Sequence, residues 1–360
     1  MSFSLLIPTF HRPARLARCL HHLSLQFEAA LFDSLKLEII IADGFDNPEL
    51  NILKNENVNI YLEQLANYCK ISVLSLPNIS LSQRIYQLSL KATNDNVMLL
   101  GDDDLIILKN CESLLEDHDD IPHPRTISGR LLNITGLKLN NVDFNVQERP
   151  YVGYTLDHPS GIVRISQYFA LNAVGTNALA YSIQSKEILC QYSLEATKKD
   201  FFYGGLEMLH QTISLLKGPV FISEKPLLFR DFTYLDYNID PQREAPDSDQ
   251  YPYHGLDAVL ALTGLIADEK EMNQEQARLL VDSILLTTRD LQKSRTSVRD
   301  SQLFPLKIPI EPNFVADASL VWKHHLKAIY SPESQKKIFL RRIPGFSFAR
   351  FFYSLLKSSI

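Results

Sequence analysis

The chain has 360 residues, enough to bury one large core or two modest ones, so a single α/β domain with an extension is the first expectation. A hydrophobic fraction of 45% and a charged fraction of 22% fit an ordinary soluble globular protein. The net charge of −6 and pI near 5.9 exclude a general field for nucleic acid or anionic lipid, so an anionic ligand must be held by local groups.

Residues 3–9 (FSLLIPT) form an apolar run that stops at Pro8 and reads as a buried first strand, not as a signal peptide. Residues 12–32 then space Leu16, Leu20, Leu23 and Phe27 at helical intervals. LEIIIADG (37–44) is a second buried strand, 50–68 a polar helix or mixed connector, and KISVLSL (70–76) a third strand. LSQRIYQLSLKAT (81–93) is helical, NVMLLGDDD (96–104) is a fourth strand ending in acids, and 105–117 follows as a helix. This alternation argues for βαβ units in a mainly parallel sheet covered on both faces.

From about 125 to 235 the pattern changes to antiparallel or mixed strands with turns. Gly204-Gly205 opens a helical run at 206–218, and 218–230 reads as a late strand. Residues 231–253 are rich in Pro, Asp and Tyr and read as a long loop, two helices dominate 254–297, and 320–360 reads as helical. No apolar stretch approaches the roughly 20 residues that span a bilayer. The four cysteines (Cys19, Cys69, Cys111 and Cys190) lack zinc or disulfide spacing and read as reduced thiols, which places the chain in the cytoplasm.

In an open parallel sheet, ligands bind beyond the carboxyl ends of the strands. Here those ends carry Pro8-Thr9, Asp43-Gly44, Asn78 and Asp102-Asp103-Asp104. Two carboxylates in D-x-D spacing after a buried strand suit Mg²⁺ or Mn²⁺, hard ions that sit between carboxylates and substrate phosphates. The alternative is an acidic N-cap for a helix starting at Leu105. A cap needs one acid, and three adjacent carboxylates repel unless a cation is near. Asp43-Gly44 alone also suits a plain turn, and Arg84 a solvated helix position.

The segments LLIPTFHRPARLARCLHHL, IIIADGFDNP, LSQR and VMLLGDDDLI resemble the nucleotide-binding half of family 2 glycosyltransferases with the GT-A fold. The resemblance covers residues 3–110 well and 170–230 loosely. It implies that Thr9 lines the nucleoside pocket, that Asp43 accepts from a uracil N3–H, and that Arg84 approaches the base or diphosphate. It further implies that Asp102 meets the ribose and that Asp104 holds the metal and diphosphate, with Asp102 as second metal ligand. Arg12 suits a phosphate partner or equally a surface charge, and with Asp103 it is expected among the nucleotide-sugar contacts. The chain departs from the family pattern at His11, Ala42, Phe45 and Ile85.

An inverting transfer needs a carboxylate to take the acceptor's proton. In the resembled family this is the last acid of a Glu-Asp pair after glycine; here Glu207 falls at that point, with Leu206 in place of the first acid and Asp200 in reserve. The alternative is that Glu207 merely decorates a helix N-terminus. His210 lies three residues on along the same helical face, where it contacts acceptor or diphosphate or else serves the core. Arg230 falls where the family places a basic group near the diphosphate.

The tail, 334–360, is basic and aromatic. It either lies on a membrane interface, at the inner face and near a lipid-linked acceptor, or docks on the core or a second copy of the chain. The expectation is a GT-A domain at 1–235 with a helical extension at 236–360. The expected function is an inverting, metal-dependent transfer from a UDP-sugar to a saccharide or lipid-linked saccharide. A nucleotidyltransferase and a non-catalytic nucleotide- or glycan-binding module are the competing classes. IPTFHRPAR, with no glycine-rich phosphate loop, speaks against the nucleotidyltransferase.

Overall fold

The computed structural model describes residues 1–10, 12–44, 53, 55–135, 145–148, 155–172, 178–199, 201, 203–231, 255–269 and 272–285. The expected loop at 231–253 lies almost wholly outside these residues, and the tail at 334–360, Asp200 and His11 lie entirely outside them.

Strand β1 (Ser2–Thr9) leads to helix α1 (Pro13–Glu28), β2 (Lys36–Asp43), α2 (Glu56–Ala66), β3 (Lys70–Ser75), α3 (Leu81–Lys91) and β4 (Asn96–Leu99). These are the expected βαβ units, and β3, β2, β1 and β4 lie side by side and parallel. Continuous runs such as Leu5-Leu6-Ile7 and Ile39-Ile40-Ile41 are buried because helices cover both faces. Helix α1 ends four residues before the expected boundary, where Ala30 takes a left-handed backbone (φ 47°).

The segment after the acid triplet differs from expectation. Leu105–Ile106 form a two-residue strand, β5, and helix α4 starts only at Leu108 (Leu108–Glu116). No side chain caps α4 at Ile107; instead Gln26 of α1, fully buried, accepts from the Leu108 N–H at 2.8 Å and donates to the Ile106 carbonyl at 2.9 Å. The triplet is therefore not the N-cap of the next helix. It is a turn, closed by the Asp104 N–H donating to the Gly101 carbonyl at 3.0 Å.

Beyond β4 the sheet becomes mixed. It continues through β8 (Ile183–Ser185), β6 (Thr126–Thr135), β9 (Val220–Asp231) and β5, and β7 (Asn145–Glu148) also pairs with β6. Helices α5 (Gly161–Asn172), α6 (Lys186–Ala196) and α7 (Tyr203–Lys217) pack on this half, with a 3₁₀ turn at Ala178–Tyr181. Gly204 and Gly205 lie in the first turn of α7 rather than before it. Helix α8 (Gly255–Asp268) and helical residues 274–285 bury Val259, Leu262, Val281 and Ile284 in the same cluster as Leu209 and Ile213 of α7. Among the described residues no helix is long and apolar enough to cross a membrane.

Candidate active site at the carboxyl ends of the parallel strands

The ends of β1 and β2 are neighbours, with Thr9 opposite Asp43 in the ladder. The Gly44 N–H extends this pairing by donating to the Thr9 carbonyl at 3.1 Å. Arg84 reaches the same carbonyl from α3, donating through Nη1 at 2.9 Å, with its guanidinium carbon 5.0 Å from the centre of the Phe10 ring. Helix α3 is held for this by a capping box between Ser80 and Gln83. Arg84 is thus buried at the site and not a solvated helix residue. Its passage explains Gly44: a Cβ there would stand 1.7 Å from Arg84 Nη1. The Asp43-Gly44 pair is shaped around an arginine, and the Asp43 side chain is buried at the same edge.

The turn after β4 sets three acids in different surroundings. Asp102 is 0% exposed; its Oδ2 accepts from Thr9 Oγ1 at 2.6 Å, and its Oδ1 lies 2.7 Å from Arg12 Nη2. Oδ1 nevertheless makes no well-formed hydrogen bond among the described residues, so its charge is paired but not fully solvated. Burial pushes the Asp102 carboxyl up to about 6; Arg12, Thr9 and Arg15 pull against that, while Asp103 adds to it. Burial works against the charge of Arg12, but Asp102, Asp103 and Asp104 together hold its pKa above the ordinary arginine value.

Asp103 is partly exposed. Its Oδ2 accepts from Arg12 Nη1 at 3.0 Å and Arg15 Nη1 at 3.2 Å, and its main-chain oxygen accepts from Arg18 Nη2 at 2.5 Å. Asp104, buried again, has Oδ2 4.0 Å from Arg230 Nε at the end of β9. Arg230 in turn donates to the Tyr181 hydroxyl at 2.9 Å and lies over its ring at 4.4 Å. Burial raises the Tyr181 phenol to about 12, with Arg230 opposing and Asp104, Asp103 and Glu207 adding to the rise. Glu207 lies in the second turn of α7. It also raises the buried phenols of Tyr168 and Tyr192.

Thr9, Arg12, Asp43, Arg84, Asp102, Asp103, Asp104 and Arg230 thus gather at one edge, and Glu207 is linked to it only by adding to the rise in the Tyr181 phenol. His210 is placed differently: it is 2% exposed, its Nε2 lies 3.0 Å from Gln184 Oε1, and its ring packs edge-on against Tyr192. Burial holds its pKa down at about 4, so it is a neutral core histidine near neutral pH. Arg15, Arg18 and Tyr181 are additions. The first two had a visible signal, since Arg12, Arg15 and Arg18 recur every three residues on one face of α1. Tyr181 had none, because only the tertiary fold brings it under Arg230.

Among the described residues no group of three His, Cys, Asp or Glu side chains could by itself cage a metal ion. The donor chemistry still fits a hard divalent ion that takes most of its ligands from a diphosphate and water. Asp104, with the longer ion-pair distance, suits a first ligand, and Asp102 a second.

No protein-family model matches the sequence, and no curated protein matches it. Solved structures do. The crystal structure of S. aureus TarS residues 1–349 in complex with UDP-GlcNAc matches 97% of this chain and 87% of its own, with 14% identity and a TM-score of 0.50. A crystal structure of S. aureus TarS gives a TM-score of 0.47 and 15% identity over 85% of this chain, which spans only 46% of that chain. The mannosyltransferase PcManGT from Pyrobaculum calidifontis, in complex with GDP-Man and Mn²⁺, gives a TM-score of 0.44 and 10% identity, with 98% and 86% covered. At 14% identity the likeness to TarS 1–349 is one of architecture, and by that architecture the chain has a GT-A-type fold.

Proposed function

We propose that this chain is a nucleotide-sugar-dependent glycosyltransferase, with UDP as the donor nucleotide and a saccharide or lipid-linked saccharide as acceptor. The observation that carries the reading is the junction of Thr9 and Asp43 with Asp102 and Asp104 at the carboxyl ends of β1, β2 and β4, ringed by Arg12, Arg84 and Arg230. The TarS 1–349 complex with UDP-GlcNAc supports it, since that protein shares the fold.

In this reading Thr9, Asp43 and Arg84 shape the nucleoside pocket, with Asp43 accepting from the base. Asp102 accepts from the ribose. Asp104, with Asp102, would hold Mn²⁺ or Mg²⁺, which when bound supplies positive charge to the diphosphate. Arg12 and Arg230 add fixed positive charge on either side of the triplet. Glu207 is the base: as the acceptor oxygen forms its bond to the sugar's anomeric carbon, the bond to the diphosphate oxygen breaks and the nucleoside diphosphate leaves with the electron pair. The acceptor's hydroxyl proton passes to the Glu207 carboxylate, and the anomeric configuration inverts. Arg230, braced by Tyr181, faces the charge that grows on the leaving oxygens.

The test is incubation of the full chain with UDP-GlcNAc, UDP-Glc, UDP-Gal and GDP-Man, with and without Mn²⁺, reading release of nucleoside diphosphate beside a calorimetric binding titration of each donor. Metal-dependent release from one donor supports the reading. Tight binding with no release from any donor would leave a nucleotide-binding module, and no binding at all would remove the reading.

A further inference from the structure

We propose that Asp103 is an internal stand-in for the donor's diphosphate. In the free protein it holds Arg12 and Arg15 in position, and on binding it yields them to the nucleoside diphosphate. Arg15 thereby becomes a diphosphate-binding residue beside Arg12. This rests on the nucleotide-sugar reading of the site.

The three acids of the turn have different partners and different access to solvent. Asp102 and Asp104 are buried, whereas the Asp103 side chain keeps 25% of its surface, facing an Arg12 that is 41% and an Arg15 that is 20% exposed. One oxygen, Oδ2, takes both guanidinium groups, at 3.0 and 3.2 Å. Two guanidiniums converging on one anionic oxygen at the open side of the turn offer the donor geometry that a phosphate oxygen also accepts. The Asp103 pairs are partly open to water, which screens them and leaves them weak enough to be exchanged.

The remaining contacts allow the exchange without moving the turn. Arg18 is buried and donates to the Asp103 main-chain oxygen, not to its carboxylate, so the backbone stays fixed when the side chain swings out. Arg12 keeps its second anchor, Nη2 on Asp102 at 2.7 Å, and so remains over the site with Nη1 free to take a new partner.

The experiment is calorimetric titration of the full chain with inorganic pyrophosphate and with UDP, at fixed Mg²⁺ and ionic strength, in wild type, Asp103→Asn, Arg15→Met and the double variant. Exchange means that Asp103→Asn binds both probes about three- to fivefold more tightly, the reciprocal of the partly exposed pairs it no longer makes. Arg15→Met should bind both more weakly by a similar factor. In the double variant the gain from Asp103→Asn should shrink, because one competitor's partner is gone. A gain that persists in full beside Arg15→Met would mean simple repulsion and overturn the exchange, as would weaker binding by Asp103→Asn. Asp103→Ser, with its thermal midpoint measured alongside, gives the same reading if the Asn variant folds poorly. Wild type that binds neither probe overturns the nucleotide-sugar reading and this inference together; wild type that binds with Asp103→Asn no tighter overturns this inference alone.

Discussion

Two buried carboxylates mark opposite ends of the same parallel sheet, and they have been treated in opposite ways. Glu38, at the amino end of β2, accepts from Ser4 Oγ at 2.8 Å, Lys70 Nζ at 2.7 Å, and the Thr93 N–H and hydroxyl at 2.9 Å each. Burial alone would raise its pKa, but these bonds outweigh burial and bring it down to about 2. Asp102, past the carboxyl end of β4, has one hydroxyl donor and one guanidinium out of hydrogen-bond alignment, and burial wins, leaving it at about 6. A carboxylate whose lone pairs are satisfied rivets strands together. One left short keeps capacity for a ligand. On this sheet the amino end holds a carboxylate whose bonds are complete, and the carboxyl end holds one left short.

That contrast is broken most sharply at the carboxyl end. Asp104→Ala should abolish metal-dependent transfer and weaken nucleotide binding, while the thermal midpoint without ligand stays near wild type. Unchanged turnover in that variant removes Asp104 from the site. Glu207→Gln should lower turnover by about 10²- to 10⁴-fold with donor affinity retained, as expected for loss of a general base. Steady-state rates beside a donor titration decide it, and retained activity would move the role to Asp200.

The amino end should fail the other way. Glu38→Ala leaves Lys70, Ser4 and Thr93 without their acceptor, a loss of roughly 1–3 kcal/mol for buried donors left unsatisfied. Denaturant unfolding should show that loss, with UDP affinity per folded molecule unchanged. A donor affinity that falls in step with stability would contradict the division of labour between the two ends.

The two ends should also separate by pH. The Glu38 contribution is present above its ordinary pKa of 4.5 and is lost as pH falls from there toward 2. Asp102, raised from 3.8 to about 6, works in reverse: the folded chain takes up a proton there first, so its contribution is full below about 4 and is lost as pH rises through about 6. Thermal midpoints of wild type minus Asp102→Asn should therefore change between pH 4 and pH 6 and stay flat above pH 7. A flat difference across the whole range would show that Asp102 is not raised. The smallest effect belongs to Tyr181→Phe, which removes the hydroxyl that takes Arg230 at 2.9 Å. Turnover should fall a few-fold with little change in the thermal midpoint, measured side by side with wild type.

The sequence made some of this legible and hid the rest for physical reasons. Thr9, Asp43, Asp102 and Asp104 could be read because buried strands show as apolar runs and the residue after each run is a strand end. The shape of the acid turn could not, because LIILKN reads as the start of a helix. The helix is delayed to Leu108 only by Gln26, a buried side chain 82 residues earlier in the chain. Arg84 suits a solvated position on an amphipathic helix as well as the place at the base or diphosphate that the resemblance implies, and the structure seats it on the Thr9 carbonyl, in room that Gly44 leaves for it. His210 looked equally apt for substrate and for core, and packing against Tyr192 and Gln184 puts it in the core. Position in a helix registers which face a residue occupies, but not what that face meets.

The most direct measurement is calorimetric titration of UDP into wild type and Asp104→Ala, each with and without Mn²⁺. The account expects wild type to bind UDP, to bind it more tightly with Mn²⁺, and to lose that metal-dependent increment in Asp104→Ala. An equal Mn²⁺ increment in both proteins, or no binding of UDP by wild type in either condition, would contradict it.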